Sequence, residues 1–284
     1  EAMIDNKGEL TISGNGDVVY TYTGAADAAY TKGNYTITNS GKLTIDGVTV
    51  ENATAKMSHA SYAINNGNNG EVDIKKGNVI NTNNYAMRQF GAGSIIVNDG
   101  EVKGTRAIWL QAPGSNTADA PAISLTIKGG TLTATGESED YKLAIYSYGY
   151  GNDMKNVNID IVGGTFNGDI ALTGGKNKNN VESLNISGGI FNGKDGDVYS
   201  YAADEIAVPA ISITGGTFAS NYAEKYALDD GFKFVFNNTT QMYGLQEFSD
   251  LEISNLNELI AFRNAVNAGN SFAGKVVTVK YNID

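Results

Sequence analysis

One short motif recurs along most of this chain, and its recurrence limits the fold more than any other property. The pattern is aliphatic, one or two residues, glycine, then a second apolar position. It appears as Ile45-Asp46-Gly47-Val48, as Ile74 to Val79 around Gly77, and as Val97 to Val102 around Gly100. It continues as Ile127-Lys128-Gly129-Gly130-Thr131-Leu132, Ile161-Val162-Gly163-Gly164-Thr165-Phe166, Ile186-Ser187-Gly188-Gly189-Ile190-Phe191 and Ile213-Thr214-Gly215-Gly216-Thr217-Phe218. The last glycines of these runs lie 30, 23, 30, 34, 25 and 27 residues apart. Leu10-Thr11-Ile12-Ser13-Gly14 reads as an earlier, degenerate unit. A fixed motif on a variable period argues for stacked units with loop insertions between them.

Each unit reads as strand, corner, strand. In Lys42-Leu43-Thr44-Ile45, Ser124-Leu125-Thr126-Ile127, Ser183-Leu184-Asn185-Ile186 and Ala210-Ile211-Ser212-Ile213 the apolar residues fall two apart, the period of a strand with one face in the core. Glycine then lets the backbone turn through positive φ, and Leu132, Phe166, Phe191 or Phe218 re-enters the interior. A second strand follows at Ala63-Ile64-Asn65, Ala86-Met87-Arg88, Ala107-Ile108-Trp109, Ala144-Ile145-Tyr146, Ile170-Ala171-Leu172 and Asp197-Val198-Tyr199. Its middle residue is always apolar and is assigned inward, Ala171 included. No stretch of helical period interrupts residues 1–250. The reading is an all-β chain: a right-handed, single-stranded parallel β-helix of about seven or eight coils over residues 1–220.

Residues 221–284 leave the period and are expected to close the stack. Gly231 to Val235 and Phe236, then Asn237-Asn238-Thr239-Thr240, then Gln241-Met242-Tyr243 reads as a hairpin, which would block the open edge. Asn255 and Glu258 make a capping-box start for a helix over 255–268. Leu256, Leu259, Ile260, Phe262, Arg263 and Val266 form its periodic face, and Gly269 ends it. A strand at Val276-Val277-Thr278-Val279 follows. The helix either plugs the stack or, with this strand, opens a further β-helix unit.

The Ile-x-Gly-Gly-Thr-Phe runs and Ala144-Ile145-Tyr146-Ser147 resemble β-helical repeats of surface proteins from gut-dwelling bacteria and of phage tail and head-fibre proteins. The coil type is similar to that of the pectate-lyase-like superfamily. The likeness covers about residues 7–220 and implies a fold, not a chemistry, because that superfamily hosts lyases, hydrolases, adhesins and virion spikes. It implies an extracellular setting, on a bacterial cell surface or a virion. A homo-oligomer is compatible with it, a trimer in the virion case.

Charge and residue inventory narrow the functional classes. A net charge of −11, with arginine only at positions 88, 106 and 263, disfavours nucleic acid. No run of 18 apolar residues suggests a membrane span. Without cysteine, and with His59 as the single histidine, thiolate and multi-histidine metal sites and a Cys–His pair are excluded within one chain. No cofactor is expected; calcium at Asp195-Gly196-Asp197 has no ligand spacing behind it. The enzymatic alternative is a polysaccharide lyase or glycoside hydrolase. It would draw on Asp73, Asp99 and Glu101 near Arg88 and Arg106, or on Asp229-Asp230.

The more suggestive feature is a row of outward residues one step past each inward middle position: Asn65, Arg88, Trp109, Tyr146, Leu172 and Tyr199. Trp109 is the sole tryptophan, and Tyr148, Tyr150 and Tyr201 flank the row. Arg88, Trp109, Tyr146 and Tyr199 are therefore the candidate ligand-binding residues. Stacked aromatics interleaved with Arg and Asn suit the apolar face of a glycan, a surface protein, or simply the cover of the sheet. The resulting expectation is a non-catalytic structural or adhesion scaffold presenting one face to a glycan or protein.

Overall fold

The computed structural model describes residues 2–21, 34–54, 61–111, 122–137, 142–147, 157–173, 181–193, 198–201, 209–247, 251–267, 272 and 276–283. His59, Tyr148, Tyr150 and the 195–197 run lie outside the described residues, and of Tyr199 and Tyr201 only the backbone is described.

The chain is mostly strand, and its principal sheets are parallel. The first sheet has eight strands in the order the chain makes them: Ala2–Asn6, Asn34–Asn39, Ser61–Asn66, Met87–Phe90, Ile108–Gln111, Leu143–Ser147, Asp169–Thr173 and Val198–Tyr201. The second sheet has two arms meeting at the glycine corners. Lys42–Asn52 and Gly70–Asn81 run unbroken through Gly47 and Gly77 and join the arms, whereas later passages split there into strand pairs such as Ile123–Ile127 and Thr131–Ala134.

Register places like side chains over like, so the interior is a set of continuous columns. Ile12, Ile45, Ile74, Val97, Ile127, Ile161, Ile186 and Ile213 follow one another in hydrogen-bonded register. So do Ile4, Ile37, Ile64, Met87, Ile108, Ile145, Ile170 and Val198 on the first sheet. From Ile45 and Ile37 onward these side chains are almost completely buried and share one hydrophobic core. A third column changes character along its length. Val50, Val79, Val102 and Leu132 give way to Phe166, Phe191 and Phe218, whose rings stack at 4.7 and 4.6 Å within 7° of parallel.

The corners show why glycine is repeated. Gly14, Gly47, Gly77, Gly100, Gly130, Gly164, Gly189 and Gly216 all have positive φ, so the degenerate first unit belongs to the series. The glycine that precedes the last four does not share that conformation. Gly129, Gly163, Gly188 and Gly215 are small for another reason: a Cβ there would strike the carbonyl oxygen of Asn98, Lys128, Val162 or Ser187 one passage earlier. One glycine of each pair makes the turn, and the other permits close stacking of backbones.

Buried amides occupy a different corner. Asn6, Asn39, Asn66 and Gln89 form a chain in which Asn6 Nδ2 donates to Asn39 Oδ1 at 2.7 Å, Asn39 Nδ2 to Asn66 Oδ1 at 2.7 Å, and Asn66 Nδ2 to Gln89 Oε1. The same amides satisfy turn backbone: Asn39 accepts from Gly41 N–H and donates to the Gly41 and Glu71 carbonyls. Leu110 continues the register, and the chain of amides ends there.

After Phe218 the chain departs from the repeats. The hairpin Phe232–Asn237 and Met242–Glu247 is antiparallel and pairs with Thr217–Phe218, as the sequence suggests. Phe234 stacks on Phe218 at 4.7 Å and extends the aromatic column into the hairpin. A short helix, α1 (Glu224–Asp229), precedes it and was not legible in the sequence: six residues show less than two turns of period. The second helix, α2 (Leu256–Asn267), is capped by Asn255 Oδ1, which accepts from Glu258 N–H at 3.0 Å. Of its expected apolar face Phe262 packs against the cluster with α1, and the rest is corrected. The buried positions are Ala261 and Ala265, with Ala261 packed on Leu228 of α1, while Leu256, Leu259, Ile260 and Val266 remain exposed. Small side chains let the helices approach closely; the larger ones would hold them apart. Strand Leu251–Ile253, also unforeseen, pairs in parallel with Val277–Val279 across this helix. No helix among the described residues is long and apolar enough to cross a membrane.

Candidate functional site

The outer face of the first sheet carries two columns of side chains. Cross-strand partners Asn65, Arg88, Trp109, Tyr146, Ala171 and Tyr199 make the first. Here one expected residue is corrected. Ala171, not Leu172, stands in register with Tyr146, while Leu172 joins the core with Ile170. A register shift between Leu143 and Ile145 moves that strand by one position, and a one-residue slip exchanges the faces. Ala171 is nonetheless 1% exposed, so the column is closed over at that rung.

The second column is not apparent from the three-residue runs of the sequence. Tyr62, Tyr85 and Arg106 each stand three positions before a member of the first column, and Tyr35 is the cross-strand partner of Tyr62. Between them lie inward residues such as Ala63 and Ile64 or Ala86 and Met87. Two consecutive inward residues require an irregularity, and the Ala63 and Ile64 N–H groups both donate to the Ala86 carbonyl. The available signal was Tyr-Ala-aliphatic at 62–64 and 85–87, one residue longer at its start than the run chosen.

Together the columns form one aromatic layer. Tyr35 stacks on Tyr62 with centroids 5.7 Å apart, and Tyr85 meets Trp109 edge-on at 5.4 Å. Trp109 lies 6.3 Å from both Tyr62 and Tyr146. Arg88 is inserted into this layer, its guanidinium carbon 4.2 Å from the Phe90 centroid, 5.2 Å from Trp109 and 5.6 Å from Tyr62. Arg106 lies 4.0 Å from the Tyr146 ring and 5.1 Å from Tyr85, and donates through Nη1 to the Tyr85 hydroxyl at 3.1 Å. Arg88, Trp109 and Tyr146 are half-buried, Tyr62 is almost fully covered, and Phe90 is 40% exposed at the surface of the layer. The structure thus brings three of the four candidate residues together; the side chain of Tyr199 lies outside the described set.

Burial sets the chemistry of the phenols. It pushes the Tyr62 hydroxyl far above the ordinary tyrosine range, with the Arg88 charge pulling partly the other way, and raises Tyr35 for the same reason. These tyrosines are neutral donors and acceptors, not bases, at physiological pH.

The acidic residues considered for catalysis are engaged elsewhere. Asp73 accepts from Asn98 Nδ2 at 2.7 Å, Asp99 from Gly100 N–H at 2.7 Å, and Glu101 from the Thr133 hydroxyl at 3.2 Å. Asp73 and Glu101 belong to the second sheet, away from the strand that carries Arg88. Asp230 accepts the Ile213 N–H at 2.6 Å and so ties down a sheet edge. Burial, then the adjacent Asp230 charge, raises the Asp229 carboxyl above its usual range. Among the described residues no three acidic or histidine side chains come together to hold a metal ion.

Fold and face together define an all-β protein of stacked parallel strands carrying an arginine–aromatic layer on one sheet. No protein-family model, curated protein or solved structure matches the chain.

Proposed function

We propose that this chain is a right-handed parallel β-helix serving as a non-catalytic extracellular scaffold, on a bacterial cell surface or a virion, that presents the first sheet's outer face to glycan. Support for the β-helix comes from three interior columns in unbroken parallel register and from a connection that, on each passage, adds one strand to the first sheet and one to each arm of the second. Residues 1–220 are the helix, and 221–284 its closing segment.

The observation that carries the binding role is the half-buried row Arg88–Trp109–Tyr146, braced from beside by Tyr62, Tyr85 and Arg106. Rings fixed to a parallel sheet lose little freedom on binding, and their faces match the C–H faces of pyranose rings. The test is replacement of Trp109 and Tyr146 by Ala, singly and together, with binding read on a glycan array and on intact cells. Loss of binding with an unchanged far-ultraviolet spectrum is expected. Binding that survives the double change removes this face from the reading.

A further inference from the structure

Among the described residues, buried side-chain polar atoms without a hydrogen-bond partner stand on three successive rungs of one column of the first sheet, Asn65 Oδ1, Arg88 Nε and Trp109 Nε1, with Gln111 Oε1 beside them. Buried polar groups are nearly always paired, so a run of this kind on one face asks for a cause. The Arg88 charge sharpens the point. The protein holds 31 acidic residues, and lysines on the second sheet find them, as in Lys42–Glu71 at 3.5 Å and Lys76–Asp46 at 3.6 Å. Arg88 has no such partner among the described residues; its side chain bonds to the Tyr62 phenol and otherwise rests against three rings. A guanidinium carries five N–H donors in a planar fork matched to a carboxylate. Rings packed against it hold that fork in place and keep competing water away.

We infer that the face recognises a carboxylate-bearing sugar, Arg88 taking the carboxylate and the Trp109 ring the apolar face of the same or the adjoining pyranose. This rests on the glycan-contact reading and narrows it. The protein's net negative charge does not forbid it, because charges beyond about 8 Å are screened at physiological ionic strength while the Arg88 contact is direct.

Trp109 is the sole tryptophan, so its emission reports this face alone. The full chain is titrated with a glucuronate-containing disaccharide and with the methyl ester of the same disaccharide, which keeps the ring faces and removes the charge. The expected result is at least about tenfold tighter binding of the acid, the ordinary gain from a charge-assisted hydrogen bond, weakening as sodium chloride is added. Arg88→Gln should abolish the preference while ester binding persists, and Arg88→Lys should restore part of it; a native circular dichroism spectrum establishes that each variant is folded. Equal binding of acid and ester overturns the carboxylate assignment and leaves the aromatic platform standing. No response to either at saturating concentration overturns both.

Discussion

Gly100→Ala should separate two costs that glycine avoids at the corners. The residue has φ of 96°, and an alanine Cβ there would overlap the Gly77 carbonyl oxygen and stand 2.8 Å from the Gly77 carbon and nitrogen. Left-handed backbone costs an L-residue roughly 1–2 kcal/mol. Forcing apart backbone that cannot rotate away adds about 1–3 kcal/mol, by analogy with overpacked cores. Reduced freedom of the unfolded chain returns about 0.4–1 kcal/mol. The net expectation is a loss of roughly 2–4 kcal/mol. Gly14→Ala is the control: its φ is 124°, yet among the described residues nothing lies within 4 Å of the added carbon. It should lose only about 1 kcal/mol. Urea denaturation followed by circular dichroism gives the ranking. Hydrogen exchange should place the damage of the first variant at the amides around Gly77 and Gly130, whose corners stack on Gly100. Equal losses in the two variants would refute the contact argument and leave dihedral strain as the whole effect.

Asn39→Ala should cost about 3 kcal/mol or more, because it orphans Asn66 Oδ1 and turn backbone together and leaves Asn6 Nδ2 only its backbone acceptors; fast exchange of the Gly41 amide is the site-specific check. Phe191→Ala should cost about 3–5 kcal/mol, measured by urea midpoint, since both ring faces are stacked within the column. Phe191→Leu should cost distinctly less, and parity between the two would speak against ring stacking. For Tyr62 burial raises the folded hydroxyl above the ordinary tyrosine value of about 10. The linked stability is thus present below the unfolded value and lost as pH climbs from about 10 upward. Tyr62→Phe should flatten that alkaline decline in a pH series of urea midpoints, and an identical slope would count against it.

How far the residues announce the structure depends on whether their pattern is local. The Ile and Phe columns follow from period-two spacing beside a glycine, and both the corner series and the closing hairpin were legible from it. Ala171 was misplaced because the slip that puts Ile170 inward occurs in the pairing with Leu143–Ser147, which spacing within 170–172 does not record. Tyr62 and Tyr85 went unread because an outward residue followed by two inward ones breaks alternation, and only cross-strand hydrogen bonding reveals the break. The amide chain from Asn6 to Gln89 was invisible for a third reason. Asparagine is common in the turns of this sequence, and nothing short of register tells a buried asparagine from a solvated one.

That chain of amides and the stack of phenylalanines occupy opposite ends of the same interior. Aliphatic columns are nearly indifferent to which winding they meet, so on their own they would tolerate an assembly displaced by one winding. An amide displaced into the place of Leu110 loses its partner, and a ring displaced into the place of Leu132 loses half its stack. Each end therefore carries its own address, and duplication or loss of a whole winding during evolution would be least costly between them, around Leu110 and Leu132, where neither address is written.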